Sequence, residues 1–229
     1  MSNIHSYGLR PDASFDEKAE WLNVRRHRPA YFVGLDLGQS QDFSALCVIE
    51  RTGDDRANYQ FACSYLQRWK LRTPYPVIVG DTVRLMNTPE LQTGRRRPTL
   101  AVDATGVGAP VIDLFKREQH GSHLQPIQIV GGANVSREDG VTRVPKRNLV
   151  STVQVYLQGK RLKISSHLDL ADTLTRELQN FHVKITDAGN DTYGAWREGT
   201  HDDLVLAVAM ALWTGTEVQT WSSEPFRLV

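Results

Sequence analysis

Three acidic positions, far apart in the chain, sit at the ends of apolar runs. Asp36 lies inside Val33-Gly34-Leu35-Asp36-Leu37-Gly38, Asp103 closes Leu100-Ala101-Val102-Asp103, and Asp202 and Asp203 follow His201 at the head of an apolar stretch that runs to Trp213. A carboxylate in such a run costs several kcal/mol unless it is paired or bound to a cation. Carboxylates gathered from separate element ends are what a two-metal phosphoryl-transfer site needs. Two hard cations about 4 Å apart take carboxylate oxygens and clamp the attacking and leaving oxygens of a phosphodiester. Taken singly, Asp103 also suits a turn after a strand and Asp202 a helix N-cap. Asp36 is harder to dismiss, and the three sites together are far more specific than any one. Adjacent residues on a helix point about 100° apart, so one of Asp202 and Asp203 is expected to be a direct ligand; the sequence leaves open which.

The elements that must hold these acids follow from periodicity. Tyr31–Leu37, Ser44–Glu50 and Tyr59–Trp69 read as three consecutive antiparallel strands, the last two joined through the Gly53-Asp54-Asp55 loop. Pro76–Met86 has helical spacing, Thr99–Val102 is a short buried strand, and Val107–Glu118 is a helix with Pro110 near its first turn. Leu124–Val130 reads as a strand, Lys146–Gln158 as a helix, Arg161–Ile164 as a short strand and Leu168–Leu178 as a helix. Phe181–Thr186 and Asp191–Trp196 read as a hairpin, and Asp202–Trp213 as a strongly apolar helix. The expected fold is α/β: a mixed sheet of three antiparallel strands and then parallel strands, flanked by helices. Residues 1–30 read as a polar arm with one short helix near Glu17–Asn23, residues 31–216 as the domain, and residues 217–229 as a loose tail.

Gly34-Leu35-Asp36-Leu37-Gly38, Val102-Asp103-Ala104-Thr105-Gly106-Val107-Gly108-Ala109-Pro110 and His201-Asp202-Asp203-Leu204-Val205-Leu206-Ala207 resemble the three acidic motifs of phage large terminase nuclease domains. The order of motifs and of elements matches too, from about Tyr31 to Trp213. The resemblance implies an RNase H-like fold and a divalent-metal endonuclease that cuts concatemeric viral DNA during packaging. It also implies two cations, Mg2+ or Mn2+, on Asp36, Asp103 and one or both of Asp202 and Asp203. Double-stranded DNA would be the substrate, with the terminase ATPase, small terminase and portal proteins as partners. The chain departs from full large terminases in carrying no Gly-x-x-x-x-Gly-Lys-Ser/Thr phosphate loop. It reads either as one domain of a longer protein or as a stand-alone nuclease, and Met1 does not settle which.

Lys146 and Arg147 place two cations at a helix start, where the dipole disfavours them. A phosphate grip there is therefore the DNA-binding candidate. Arg95-Arg96-Arg97 reads as a solvated basic loop, Asp42 as a surface residue, and His201 as a candidate to polarise water or the scissile phosphate. Composition adds limits. The 229 residues carry a net charge of +1, so any nucleic-acid surface must be local. Cys47 and Cys63 read as buried thiols of a reducing compartment. No stretch approaches the ~18 consecutive apolar residues of a membrane span, and a cytoplasmic location is expected. Rival readings are a Holliday-junction resolvase of the same superfamily, an actin- or hexokinase-like ATPase, for which the chain is too short, and a catalytically silent docking module.

Overall fold

In the computed structural model, the structure describes residues 28–38, 41–94, 96–105, 108–185, 191–195 and 201–218. Strands β1 (Ala30–Asp36), β2 (Ala45–Thr52) and β3 (Gln60–Arg68) are followed by helices α1 (Tyr75–Met86) and α2 (Pro89–Gln92). Then come β4 (Thr99–Asp103), α3 (Gly108–Arg117), β5 (His123–Val130), β6 (Ser136–Glu138) and β7 (Val141–Pro145). The chain continues through α4 (Lys146–Gln158), β8 (Leu162–Ile164), α5 (Ala171–Asn180), the pair β9 (Phe181–Ile185) and β10 (Asp191–Ala195), and α6 (Asp203–Glu217).

Eight strands form one sheet in the order β6-β7-β5-β4-β1-β2-β3-β8, and β9 and β10 pair separately. β1, β2 and β3 are antiparallel neighbours. β4 joins β1 in parallel, β5 joins β4, β7 joins β5, and β8 joins β3. The mixed sheet expected from the sequence is therefore present.

Side chains alternate across the sheet. Ala30, Phe32, Ala45, Cys47, Ile49 and Ala101 face α4, α5 and α6, whereas Val33, Leu35, Leu46, Val48, Leu100 and Val102 face α1, α2 and α3. A helix apolar on all sides belongs in the interior, and every residue of α6 from Asp203 to Thr216 is buried. α6 packs on β1 and β2, with α4 and α5 against it. Gly34 makes this possible: a Cβ there would overlap the Ala207 carbonyl and stand 2.8 Å from the Ala211 nitrogen. Farther along, Gly215 meets the rings of Phe61 and Phe32. α6 thus runs antiparallel to β1 and brings its N-terminus to the Asp36 end.

Several boundaries differ from the sequence reading. β6 and β7 were not expected. All three residues of β6 are exposed, so it carries no apolar signal. Its turn does: Asp139 and Gly140, both at positive φ, are the Asp-Gly pair that a two-residue hairpin favours. α5 begins at Ala171 rather than Leu168, after turns through Leu170. α6 continues four residues past Trp213. Thr214, Gly215 and Thr216 are weak helix formers, but they are buried, and the Arg51 guanidinium donates to the Gly215 and Val218 carbonyls at 2.5 and 2.6 Å. A cation at a helix C-terminus also suits the dipole. The expected helix near Glu17–Asn23 and the tail beyond Val218 lie outside the described residues. Cys47 and Cys63 are free and buried, as expected, with their Sγ atoms 3.5 Å apart. Among the described residues, no helix is long and apolar enough to cross a membrane.

Candidate active site

The carboxyl ends of the parallel strands carry the candidate residues. Leu35 pairs with Val102 in the β1–β4 ladder, so Asp36 and Asp103 follow side by side. Both lie in alternation with residues of the α6 face, Gly34 and Ala101, and so both carboxyls point towards α6. Pro145 pairs with Val130 on β5, and α4 starts at the next residue, so Lys146 emerges at the same end. In open α/β sheets this is where ligands bind.

Asp36 is 7% exposed. Its pKa is pushed well up, first by burial and then by the charges of Asp103, Asp203 and Asp202; its side chain hydrogen-bonds that of Asp103. Asp103 is also raised by burial, against the opposing effect of Thr105, the Asp36 hydrogen bond and Lys146. Ionisation of Asp36 is therefore opposed by its burial and by the three acids around it. Asp103 is oriented by its own turn. Its Oδ1 accepts from the Thr105 backbone N–H at 2.8 Å and from the Thr105 hydroxyl at 2.5 Å. The same hydroxyl accepts from the Ile129 N–H at 2.7 Å, which ties the acid to β5.

Asp202 and Asp203 diverge. Asp202 occupies the N-cap position, but its side chain makes no capping hydrogen bond. It accepts instead from Lys146 Nζ at 3.3 Å. The cap comes from elsewhere: Glu177 Oε2 accepts from the backbone N–H groups of Leu204 and Val205 at 3.0 and 3.3 Å. Asp203 is buried, with Arg68 NH2 3.4 Å and His201 Nδ1 3.9 Å from its Oδ2. Arg68 also pairs with Glu177, and its guanidinium lies 4.9 Å from the Phe43 ring, which meets His201 edge-on. Burial lifts Asp203 to about 6 and Glu177 to about 7, outweighing Arg68 in both cases.

The structure therefore places Asp36, Asp103, Asp202, Asp203, Lys146 and His201 around one end of the sheet. Arg147 is exposed and turns away from Lys146, as neighbours on a helix do. Arg96 is half-buried and Arg97 exposed, at the opposite end of β4; Arg95 is outside the described residues. Asp42 is on the surface. Arg68, Glu177 and Thr105 were not singled out in the sequence. Glu177 could have been, since it continues the buried Ala171–Leu174 stripe of α5; an acid on such a stripe needs a partner.

The donor set suits a hard divalent cation: carboxylate oxygens dominate, and Asp203 Oδ2 is buried without a hydrogen-bond partner. Among the described residues, no three acidic, imidazole or thiol groups are already drawn into a ready-made cage. The charges of Asp202 and Asp203 are instead met internally, by Lys146 and Arg68.

A mixed sheet of this order, with acids at its carboxyl ends and a buried helix delivering the last of them, defines an RNase H-like protein. The chain belongs to the terminase RNaseH-like domain family, whose model matches residues 33–214. It is 23% identical over 199 residues to the large terminase subunit of Thermus phage G20c, covering 86% of this chain and 34% of that one. The chain thus spans about a third of the length of that curated relative. Its fold is similar to the large terminase nuclease of phage G20c with bound magnesium, at a TM-score of 0.57, 22% identity and 81% coverage of each chain. It is also similar to the manganese-soaked, inhibitor-bound human cytomegalovirus terminase nuclease domain, at a TM-score of 0.52 and 14% identity, covering 84% of this chain and 86% of that one.

Proposed function

We propose that this chain is the DNA endonuclease unit of a phage large terminase, cutting concatemeric viral DNA during genome packaging. One observation carries the reading: Asp36 and Asp103 end adjacent strands on the face to which α6 brings Asp202 and Asp203. The relatives solved with bound magnesium, cobalt or manganese support a divalent-metal enzyme. Asp36, Asp103 and Asp203, with Asp202 at the margin, would hold two such cations, Mg2+ or Mn2+. When bound, these ions supply the charge that activates a water and stabilises the leaving oxygen of a phosphodiester.

The chain's own residues do the positioning. Thr105 fixes the Asp103 carboxylate. Asp36, whose charge is opposed by burial and by the neighbouring acids, would gain its counter-charge from the bound cations. Lys146 and the exposed Arg147 at the start of α4 would face the phosphate backbone of double-stranded DNA. A Holliday-junction resolvase would use the same acids on a branched substrate. Residues 31–216 are proposed as the nuclease domain, working beside a terminase ATPase, small terminase and portal in the host cytoplasm.

The test is cleavage of supercoiled plasmid by the purified chain in Mg2+ or Mn2+, against EDTA, a four-way junction and ATP. Metal-dependent, sequence-indifferent cutting without ATP turnover is expected. Inactivity with both metals, or a strong junction preference, would overturn the terminase reading.

A further inference from the structure

Glu177 stands outside the three acidic motifs, yet it is buried beside them. It is 7% exposed. One oxygen takes the backbone N–H groups of Leu204 and Val205 in the first turn of α6, and the other pairs with Arg68, which also reaches Asp203. Helix N-termini leave such donors unsatisfied unless a side chain meets them. Asp202, the local residue placed to do so, is turned to Lys146 instead. Glu177 reaches across from α5 to do the work of an N-cap while leaving the Asp202 carboxylate uncommitted to the backbone. With every Glu177 oxygen engaged, it is unsuited to ligating a cation itself.

We propose that Glu177, acting with Arg68, is a positioning residue that clamps the first turn of α6 and so sets where Asp203 presents its buried Oδ2 to divalent cations. The clamp has three points: the α6 backbone, Glu177 on α5, and Arg68 at the end of β3, itself stacked on Phe43. Losing it leaves Asp203 in the chain but frees the turn that carries it. The inference rests on the metal-dependent reading above.

The experiment measures calcium binding to the full chain by titration calorimetry, alongside amide hydrogen exchange at Leu204 and Val205. Glu177→Ala is expected to weaken calcium binding by about tenfold, the lower end of what loss of a ligand-orienting partner does, and to speed exchange at those two amides. Glu177→Gln keeps an oxygen for the helix and loses the charge facing Arg68. It is expected to fall between, and it carries the test if the alanine variant does not fold. Arg51→Lys is the control, since Arg51 caps the far end of the same helix. It is expected to lower thermal stability with no change in calcium affinity. A folded Glu177 variant that binds calcium like the wild type, or matches Arg51→Lys in every readout, would overturn the clamp. Failure of the wild type to bind calcium would overturn the metal reading, whereas unchanged exchange at Leu204 and Val205 would sink the clamp alone.

Discussion

Gly34 of β1 lies directly beneath Ala207 of α6, with no room for a side chain between strand and helix. The nearest atoms are backbone, which cannot swing aside, so even one methyl must push α6 off the sheet. Overpacking of this kind costs about 1–3 kcal/mol, and Gly34→Ala is expected at the upper end. It should also weaken cleavage, because α6 carries Asp202 and Asp203. Urea unfolding checks the first point; a loss under about 0.5 kcal/mol, typical of a surface site, would mean that the helix does not pack as described.

Asp36→Asn and Asp103→Asn are each expected to abolish plasmid cutting while the fold survives. Asp36 is buried and its charged form is opposed by three other acids, so an uncharged side chain there spares the metal-free protein the cost of ionising it. A gain of about 1 kcal/mol is expected for Asp36→Asn in EDTA. Circular dichroism establishes folding, and activity assays in Mg2+ and Mn2+ establish the loss. Full activity in either variant would remove that residue from the site.

The metal-free protein should lose stability as pH rises. Asp36 is raised well above its ordinary value, Asp203 lies at about 6 and Glu177 at about 7. All three hold a proton more tightly folded than unfolded. Their contribution is therefore full below the unfolded carboxylate range, about pH 4, and is lost as pH climbs through the folded values. In EDTA, Tm is expected to be lower at pH 8 than at about pH 5.5. Magnesium should reverse the trend, since a cation competes with those protons and binds better as they leave. A Tm in EDTA that rises steadily to pH 8 would contradict the buried-acid account.

The parts legible in the sequence were those with period or composition behind them. The apolar run of β1, the loose alternation of β3 and the stripe of α4 marked their elements almost to the residue, and acids at the ends of apolar runs marked the acidic cluster. What escaped had a weaker local signature. β6 is polar throughout, so only the Asp139-Gly140 turn marked it. The place of Glu177 on the buried stripe of α5 was readable, but its contact with Arg68, 109 positions away, was not. The different surroundings of Asp202 and Asp203 were equally closed to the sequence. They turn on Lys146 standing beside one and Arg68 beside the other, and both cations are brought there by the sheet.

Lys146 and Arg147 look alike as a basic pair in sequence, but they should behave differently. Lys146 pairs with Asp202 at 3.3 Å and lowers the pKa of Asp103, so it belongs to the electrostatics of the acid cluster. Arg147 is exposed on α4 and makes no ion pair or hydrogen bond with the described residues, so it is open to a phosphate outside the chain. Lys146→Ala leaves the cluster more negative. It is expected to tighten calcium binding while weakening DNA binding in EDTA, with the DNA deficit shrinking once calcium neutralises the acids. Arg147→Ala is expected to leave calcium affinity unchanged and to weaken DNA binding with or without calcium. Losing one phosphate contact should reduce the salt slope of binding by about 0.9. Fluorescence-anisotropy titrations across a salt series, in calcium and in EDTA, separate the two. If both variants lower DNA affinity equally in both conditions, Lys146 is a plain phosphate contact and its pairing with Asp202 has no functional weight. If wild-type DNA affinity is the same in calcium and in EDTA, the acid cluster is not where DNA lies.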